Sequence, residues 1–247
     1  MLLLIATFVF NGSFIYPFYL SKTPVSVTKE AFKITSINLL SSNTKNTDLV
    51  RYITKENPDF LILLEYTPRW KTMLDEITSS YPYSKIVPQE NNFGIAIFSK
   101  IPTQSQLLYL HKNATPSILS KLTRGDSELT ILSTHPVPPL GGENLKNRNQ
   151  QFMEIAHLSK NWGENFVIIG DLNCSSFSPH FNKLVELAKV KDTRLGFGIL
   201  PTWPASVILM QTTLDHCLVS EPLEVKQRST GTNIGSDHLP ITVTIGF

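Results

Sequence analysis

A chain of 247 residues, 41% hydrophobic and 17% charged, can bury a core without disulfides, and its composition excludes disordered, collagen-like and coiled-coil classes. The net charge of +2, from 22 Lys and Arg against 20 Asp and Glu, is too small for a general nucleic-acid coat protein and nominates no partner. The two cysteines, Cys174 and Cys217, lie in no C-x-x-C or Cys/His cluster, which excludes a disulfide scaffold and a structural zinc.

Residues 1–20 carry no charged side chain and match the length a bilayer crossing needs, so they read as a membrane anchor, an export signal or a buried strand. Asn11, Gly12 and Ser13 interrupt the apolar run, and no basic residue precedes it. The Tyr16, Pro17, Phe18, Tyr19 cluster suits a head-group boundary, with 21–30 as a short connector and 31–247 as one domain. Short apolar runs predict strands over 32–38, 60–64, 94–99, 107–111, 128–134, 166–170, 214–219 and 240–245. Helical spacing predicts helices over 47–56, 69–79, 143–161 and 178–189, the last opened by Ser178 as cap and Pro179 at the first helical position. Strands outnumber helices about two to one along the chain, which predicts an α/β (α+β) architecture of two packed sheets with helices outside.

Several polar residues follow buried strands, where side chains emerge from a rigid core into a cleft. Asn38, Glu65 and Asp171 each end an apolar run, Asp215 opens one, and Asp237 with His238 precede the last. Each alone reads first as a turn or capping residue. Hard cations take a few oxygen ligands and keep several waters, so strand-end carboxylates can hold Mg²⁺ against a phosphate. Hydrolysis also needs a group that orients or deprotonates water, and an imidazolium held by a carboxylate can stabilise phosphoryl charge.

Three motifs, Ser133-Thr134-His135-Pro136-Val137-Pro138-Pro139, Gly170-Asp171-Leu172-Asn173 and Gly235-Ser236-Asp237-His238-Leu239-Pro240, follow Asn38 and Glu65 in order. The ordered set resembles the endonuclease/exonuclease/phosphatase superfamily from about residue 32 to 245. The resemblance implies a four-layer, DNase I-like sandwich of two mixed sheets flanked by helices. It implies Glu65 as metal ligand, helped by Asn38 and Asp237, with Mg²⁺ as the ion and Mn²⁺ as the alternative. It makes Asp171 the residue that handles water, Asn173 an amide donor to phosphate, Asp215 and His238 a carboxylate–imidazole pair, and His135 a contact to the transition-state phosphate. Arg148 heads the long helix and reads as a phosphate contact or a solvated helix face. Trp203, in Thr202-Trp203-Pro204, reads as a stacking surface for substrate or as core. That Trp-Pro segment is similar to one in membrane-anchored bacterial members. Leu40 stands where abasic-site endonucleases carry aspartate, which argues against that specificity.

The implied activity is metal-dependent hydrolysis of a phosphodiester, with a nuclease first, a phospholipid or sphingolipid phosphodiesterase or phosphatase as alternative, and a catalytically silent binding domain second. The expected partners are a nucleic acid or lipid head group as substrate and a membrane through residues 1–20. The chain is expected to be a monomer with no protein partner, its catalytic domain outside the cytosol. A Cys174–Cys217 disulfide is the alternative to two buried thiols.

Overall fold

The computed structural model describes residues 1–20, 30–111 and 115–247. Apart from Glu30, the expected connector over 21–30 lies outside the described residues. The first sheet is built from β1 (Ala31–Asn38), β2 (Phe60–Leu64), β3 (Tyr83–Val87), β4 (Ile95–Ser99), β11 (Glu224–Thr230) and β12 (Ile241–Gly246), in the order β11-β12-β1-β2-β4-β3. The second holds β5 (Thr103–Tyr109), β6 (Pro116–Arg124), β7 (Ser127–Ser133), β8 (Phe166–Asp171), β9 (Val190–Asp192) and β10 (Asp215–Ser220), in the order β5-β6-β7-β8-β10-β9. Each is mixed, with β1 parallel to β2 and β7 parallel to β8, the other pairs antiparallel.

Strand alternation builds the layers. In β2, Phe60, Ile62 and Leu64 point into the core between the sheets, while Leu61 and Leu63 pack under α2 (Thr47–Glu56) and α3 (Pro68–Thr78). In β8, Val167 and Ile169 enter the central core, while Phe166 and Ile168 pack under α4 (Gly142–Leu158) and α5 (Pro179–Ala188). A strand apolar on both faces must be covered on both, and that requirement yields helix, sheet, sheet, helix. The four-layer sandwich expected from the sequence is the observed fold.

All four predicted helices of the domain form, α2 with the expected bounds. Ser178 caps α5 by accepting from the His180 backbone N–H at 3.3 Å, as its position predicts. Strands β3, β6, β9 and β11 were not expected. Residues 1–20 form α1 (Leu2–Ile15) and a 3₁₀ turn (Tyr16–Phe18) containing Pro17. Fourteen helical residues rise about 21 Å, short of the roughly 30 Å hydrocarbon thickness. No described helix is long and apolar enough to cross a membrane.

Of the two readings of the cysteines, buried thiols are what the structure holds: Cys174 and Cys217 are free and buried. Cys217 points into the core between the sheets, whereas Cys174 packs under α4 and α5, so the second sheet separates the thiols.

Candidate active site

The site forms where the C-terminal ends of β1, β2, β7 and β8 meet the N-terminal ends of β10 and β12. That edge follows from the pairing: β1 and β2 run together, β7 and β8 run together, and β10 and β12 run against them. A cleft of about 410 Å³ opens there, lined by Glu65, His135, Asp171, Asn173, Trp203, Asp237 and His238, with Asn92, Phe93, Pro138, Pro139, Leu140 and Leu214. Asn38 and Asp215 are buried behind it.

Asp171 is the hub. Its Oδ2 accepts from Asn38 Nδ2 at 3.2 Å and lies 3.4 Å from His135 Nε2 and 3.6 Å from His238 Nε2. Its Oδ1 accepts from the Asn173 backbone N–H at 2.8 Å, closing a turn with Asn173 at φ +48°. Directly across the ladder from Asp171 stands Asp215, so two carboxylates face each other in a buried register pair. His238 relieves that repulsion, with Nδ1 2.7 Å from Asp215 Oδ2 and Nε2 turned to Asp171.

The electrostatics follow from these contacts. Burial by itself disfavours a charged His238, but the Asp215 and Asp171 carboxylates outweigh it and push its pKa up to about 10. His135 is likewise opposed by burial, and its contact with Asp171 holds it above the ordinary imidazole value. For Asp171, burial works toward a higher pKa, yet His238, His135 and the Asn173 N–H hold it below the usual carboxylate range. By contrast, burial lowers His216 to about 4; it packs on Phe181, stays neutral and has no role in the cleft.

Backbone geometry fixes the hub. Gly170 has φ +145°, and a Cβ there would lie 2.0 Å from the Thr134 carbonyl oxygen, so the residue before Asp171 must be glycine. Arg148 braces the same turn. Its Nη1 donates to the Asn173 carbonyl at 2.7 Å, while Nε and Nη2 donate to Asn149 Oδ1. Buried and committed to these partners, Arg148 does not line the cleft, which corrects its expected contact with phosphate. Asn173 does line it, its Nδ2 donating one hydrogen to the Pro136 carbonyl at 3.0 Å and keeping a second.

The expected metal ligands Glu65 and Asp237 line the same cleft, and Asn38 is buried. Glu65, at φ +55°, accepts from Asn38 Nδ2 at 3.2 Å and from the Ser41 backbone N–H at 2.8 Å. Asn38 thus bridges Glu65 and Asp171 through its amide nitrogen, while its Oδ1 accepts from the Leu40 N–H. Trp203 Nε1 donates to Asp237 Oδ2 at 3.1 Å, so Trp203 both lines the cleft and orients a carboxylate. The other oxygen, Asp237 Oδ1, is buried with no hydrogen-bond partner among the described residues. An unpaired buried carboxylate oxygen on a residue that shares the cleft with Glu65 fits a hard divalent cation. So does the charge, since four carboxylates (Glu65, Asp171, Asp215, Asp237) face two imidazoles (His135, His238). Single donor atoms of Asp171, Asp215 and His238 also lie within 4.8 Å of one another. That trio is already satisfied by the 2.7 Å Asp215–His238 bond, so the unpaired Asp237 oxygen marks the better place for an ion.

The sequence missed Phe93, whose ring lies 5.6 Å from that of His135, and Thr202, whose Oγ1 accepts from the backbone N–H groups of Leu214 and Asp215 at 3.1 and 3.2 Å. The Asn91-Asn92-Phe93-Gly94 turn signal before β4 was the available clue to the first. Nothing local marks the second.

Solved structures share this fold. A humanized D. rerio TDP2 carrying 14 mutations superposes with TM-score 0.73 at 18% identity, covering 88% of this chain and 99% of that one. D. rerio TDP2 complexed with a single-strand DNA product gives 0.72 at 18% identity, covering 88% and 100%. An endonuclease/exonuclease/phosphatase from Beutenbergia cavernae gives 0.70 at 14% identity, covering 89% and 72%. No curated protein matches the sequence. The profile of the Endonuclease/Exonuclease/phosphatase family matches residues 35–238, which take in every cleft carboxylate and histidine described above, and the chain belongs to that family of phosphoesterases.

Proposed function

We propose that the protein is a Mg²⁺-dependent phosphodiester hydrolase that works at a membrane. The buried, unpaired oxygen of Asp237, a residue that lines a cleft with an excess of carboxylates, carries the metal assignment. Glu65 and Asp237, helped by Asn38, would hold the ion, which when bound polarises a phosphoryl oxygen and stabilises charge on the leaving oxygen.

The chain's own residues supply the rest. Asp171, held ionised by two imidazoles and a backbone N–H, orients the attacking water and accepts its hydrogen bond. His238, kept cationic by Asp215, offers a positive charge to the phosphoryl oxygens as the transition state forms, with His135 and the second Nδ2 hydrogen of Asn173 beside it. Because these groups sit on strand ends and buried turns, they need little reorganisation when charge develops. The membrane assignment rests on α1, whose apolar side chains are exposed.

A nucleic-acid strand and a lipid head group present the same phosphodiester. The single-strand DNA product in the D. rerio TDP2 structure supports the first. That no described residue lining the cleft is Lys or Arg supports the second.

The test is hydrolysis of bis(p-nitrophenyl) phosphate by EDTA-treated protein, with Mg²⁺ or Mn²⁺ restored, in ¹⁸O-labelled water. Metal-dependent turnover with label in the phosphate product is the expected result. Turnover indifferent to EDTA, or product without label, contradicts water attack assisted by a metal.

A further inference from the structure

We propose that the rim of this cleft is a lipid-docking surface, and that the substrate is the head-group phosphodiester of a phospholipid presented by a bilayer. The proposal rests on the phosphodiesterase activity proposed above and names its substrate class. Hydrolysis there forms one bond from water oxygen to phosphorus and breaks one P–O ester bond, the departing alkoxide leaving with a proton as alcohol.

Four successive apolar residues are exposed on the loop that follows Trp203 of the cleft. Val207, Ile208, Leu209 and Met210 are 43, 81, 100 and 73% exposed. A single exposed leucine needs no explanation, but a contiguous projecting run does. The run is held in place. Thr202 and Trp203 donate backbone N–H groups to the Thr212 carbonyl at 2.9 and 3.0 Å, and the Met210 N–H closes a turn on the Val207 carbonyl. The Ala205 N–H donates to the Asp237 carbonyl at 2.8 Å, and Trp203 Nε1 reaches the Asp237 carboxylate. The loop is therefore fastened to a residue of the candidate metal site. Leu140, 76% exposed beside Pro138 and Pro139, lines the same cleft.

Charge separates the two diester classes. None of the described residues lining the cleft is Lys or Arg. A nucleic-acid strand presents successive phosphates and is tracked by a row of cations with stacking aromatics. A lipid offers one phosphodiester, for which the metal and His238 suffice.

The apolar loop and α1 also share a root. Residues 195–214 contain no Asp, Glu, Lys, Arg or His, and the loop leaves from this segment. At its start, the Gly198 N–H donates to the Phe18 carbonyl at 2.8 Å, and the Phe18 ring covers Arg194 at 4.6 Å. Phe14, Ile15 and Phe18 border a hollow with Phe177 and Leu195. On α1, the consecutive residues Phe8, Val9 and Phe10 are all exposed, and successive helical side chains point about 100° apart. A protein groove would take one face of such a helix; acyl chains solvate every face.

The experiment compares the full-length protein with an Ile208→Ser, Leu209→Ser, Met210→Ser variant. The substrates are vesicles of equimolar phosphatidylethanolamine and phosphatidylglycerol, single-stranded DNA, and bis(p-nitrophenyl) phosphate, all with Mg²⁺. The expected result is a vesicle rate at least about ten-fold lower in the variant, from the loss of three inserted apolar side chains, with the soluble-diester rate unchanged. Equal vesicle rates overturn the proposal, as does wild-type protein that cleaves DNA and leaves vesicle lipid intact. No turnover of the soluble diester by wild type overturns the phosphodiesterase activity itself, and the lipid substrate with it.

Discussion

His238 takes its charge from two neighbours, and that fixes the sign of its pH response. With its pKa raised to about 10, the proton contributes stability that is fully present below the unfolded value near 6.5 and is lost as pH rises toward 10. Asp171 runs the other way: its stabilisation is present above about 3.8 and is lost as pH falls below it. Asp215→Asn removes the 2.7 Å partner, so His238 should lose its proton at lower pH. A pH–rate profile of the variant should fall on its alkaline side at lower pH than wild type, with turnover at pH 7 down about 100-fold. Coincident profiles would separate Asp215 from His238. These residues were legible in the sequence because each borders an apolar run, at its start or its end, within an ordered set of motifs. Arg148 was not: a guanidinium at the head of a helix looks the same whether it faces phosphate or a buried carbonyl. The Trp203–Asp237 bond was also hidden, since it joins residues 34 apart.

Among the elements, those with apolar periodicity were the ones the sequence disclosed. Strands β3, β9 and β11 lie at sheet edges, where half-exposed or polar side chains give little alternation, and β11 carries a register shift between Val225 and Gln227. Strand β6 lies inside its sheet but opens with Pro116, which has no N–H to donate and masks the run that follows. The junction between β8 and the Asp171 turn makes a sharp demand, because Gly170 packs against the Thr134 carbonyl at a φ that other residues avoid. Gly170→Ala should therefore destabilise the domain by about 2 kcal/mol or more in urea unfolding, through strain and backbone displacement. An unfolding midpoint equal to that of wild type would show that the turn yields without cost.

On the scale of the whole molecule, two sheets bring six strand ends together, and the charge assembled there is unbalanced without a cation. An ion that binds only the folded state stabilises it by mass action, about 2.7 kcal/mol at one hundred times its dissociation constant. Mg²⁺ should raise the thermal midpoint by several degrees, and Glu65→Ala should abolish that rise. An unchanged Mg²⁺ response in Glu65→Ala would move the ion elsewhere. The N-terminal segment was legible as apolar, but its length as a helix was not, since Pro17 and the docking of Phe18 on Arg194 set where α1 stops. The most direct test of the site is Mg²⁺-supported turnover of bis(p-nitrophenyl) phosphate by wild type, Glu65→Ala and Asp171→Ala, with circular dichroism to confirm folding. Losses of about 1,000-fold in both folded variants are predicted, one through the cation and one through the water. Either folded variant retaining turnover within about ten-fold of wild type would contradict a reaction centred on these carboxylates.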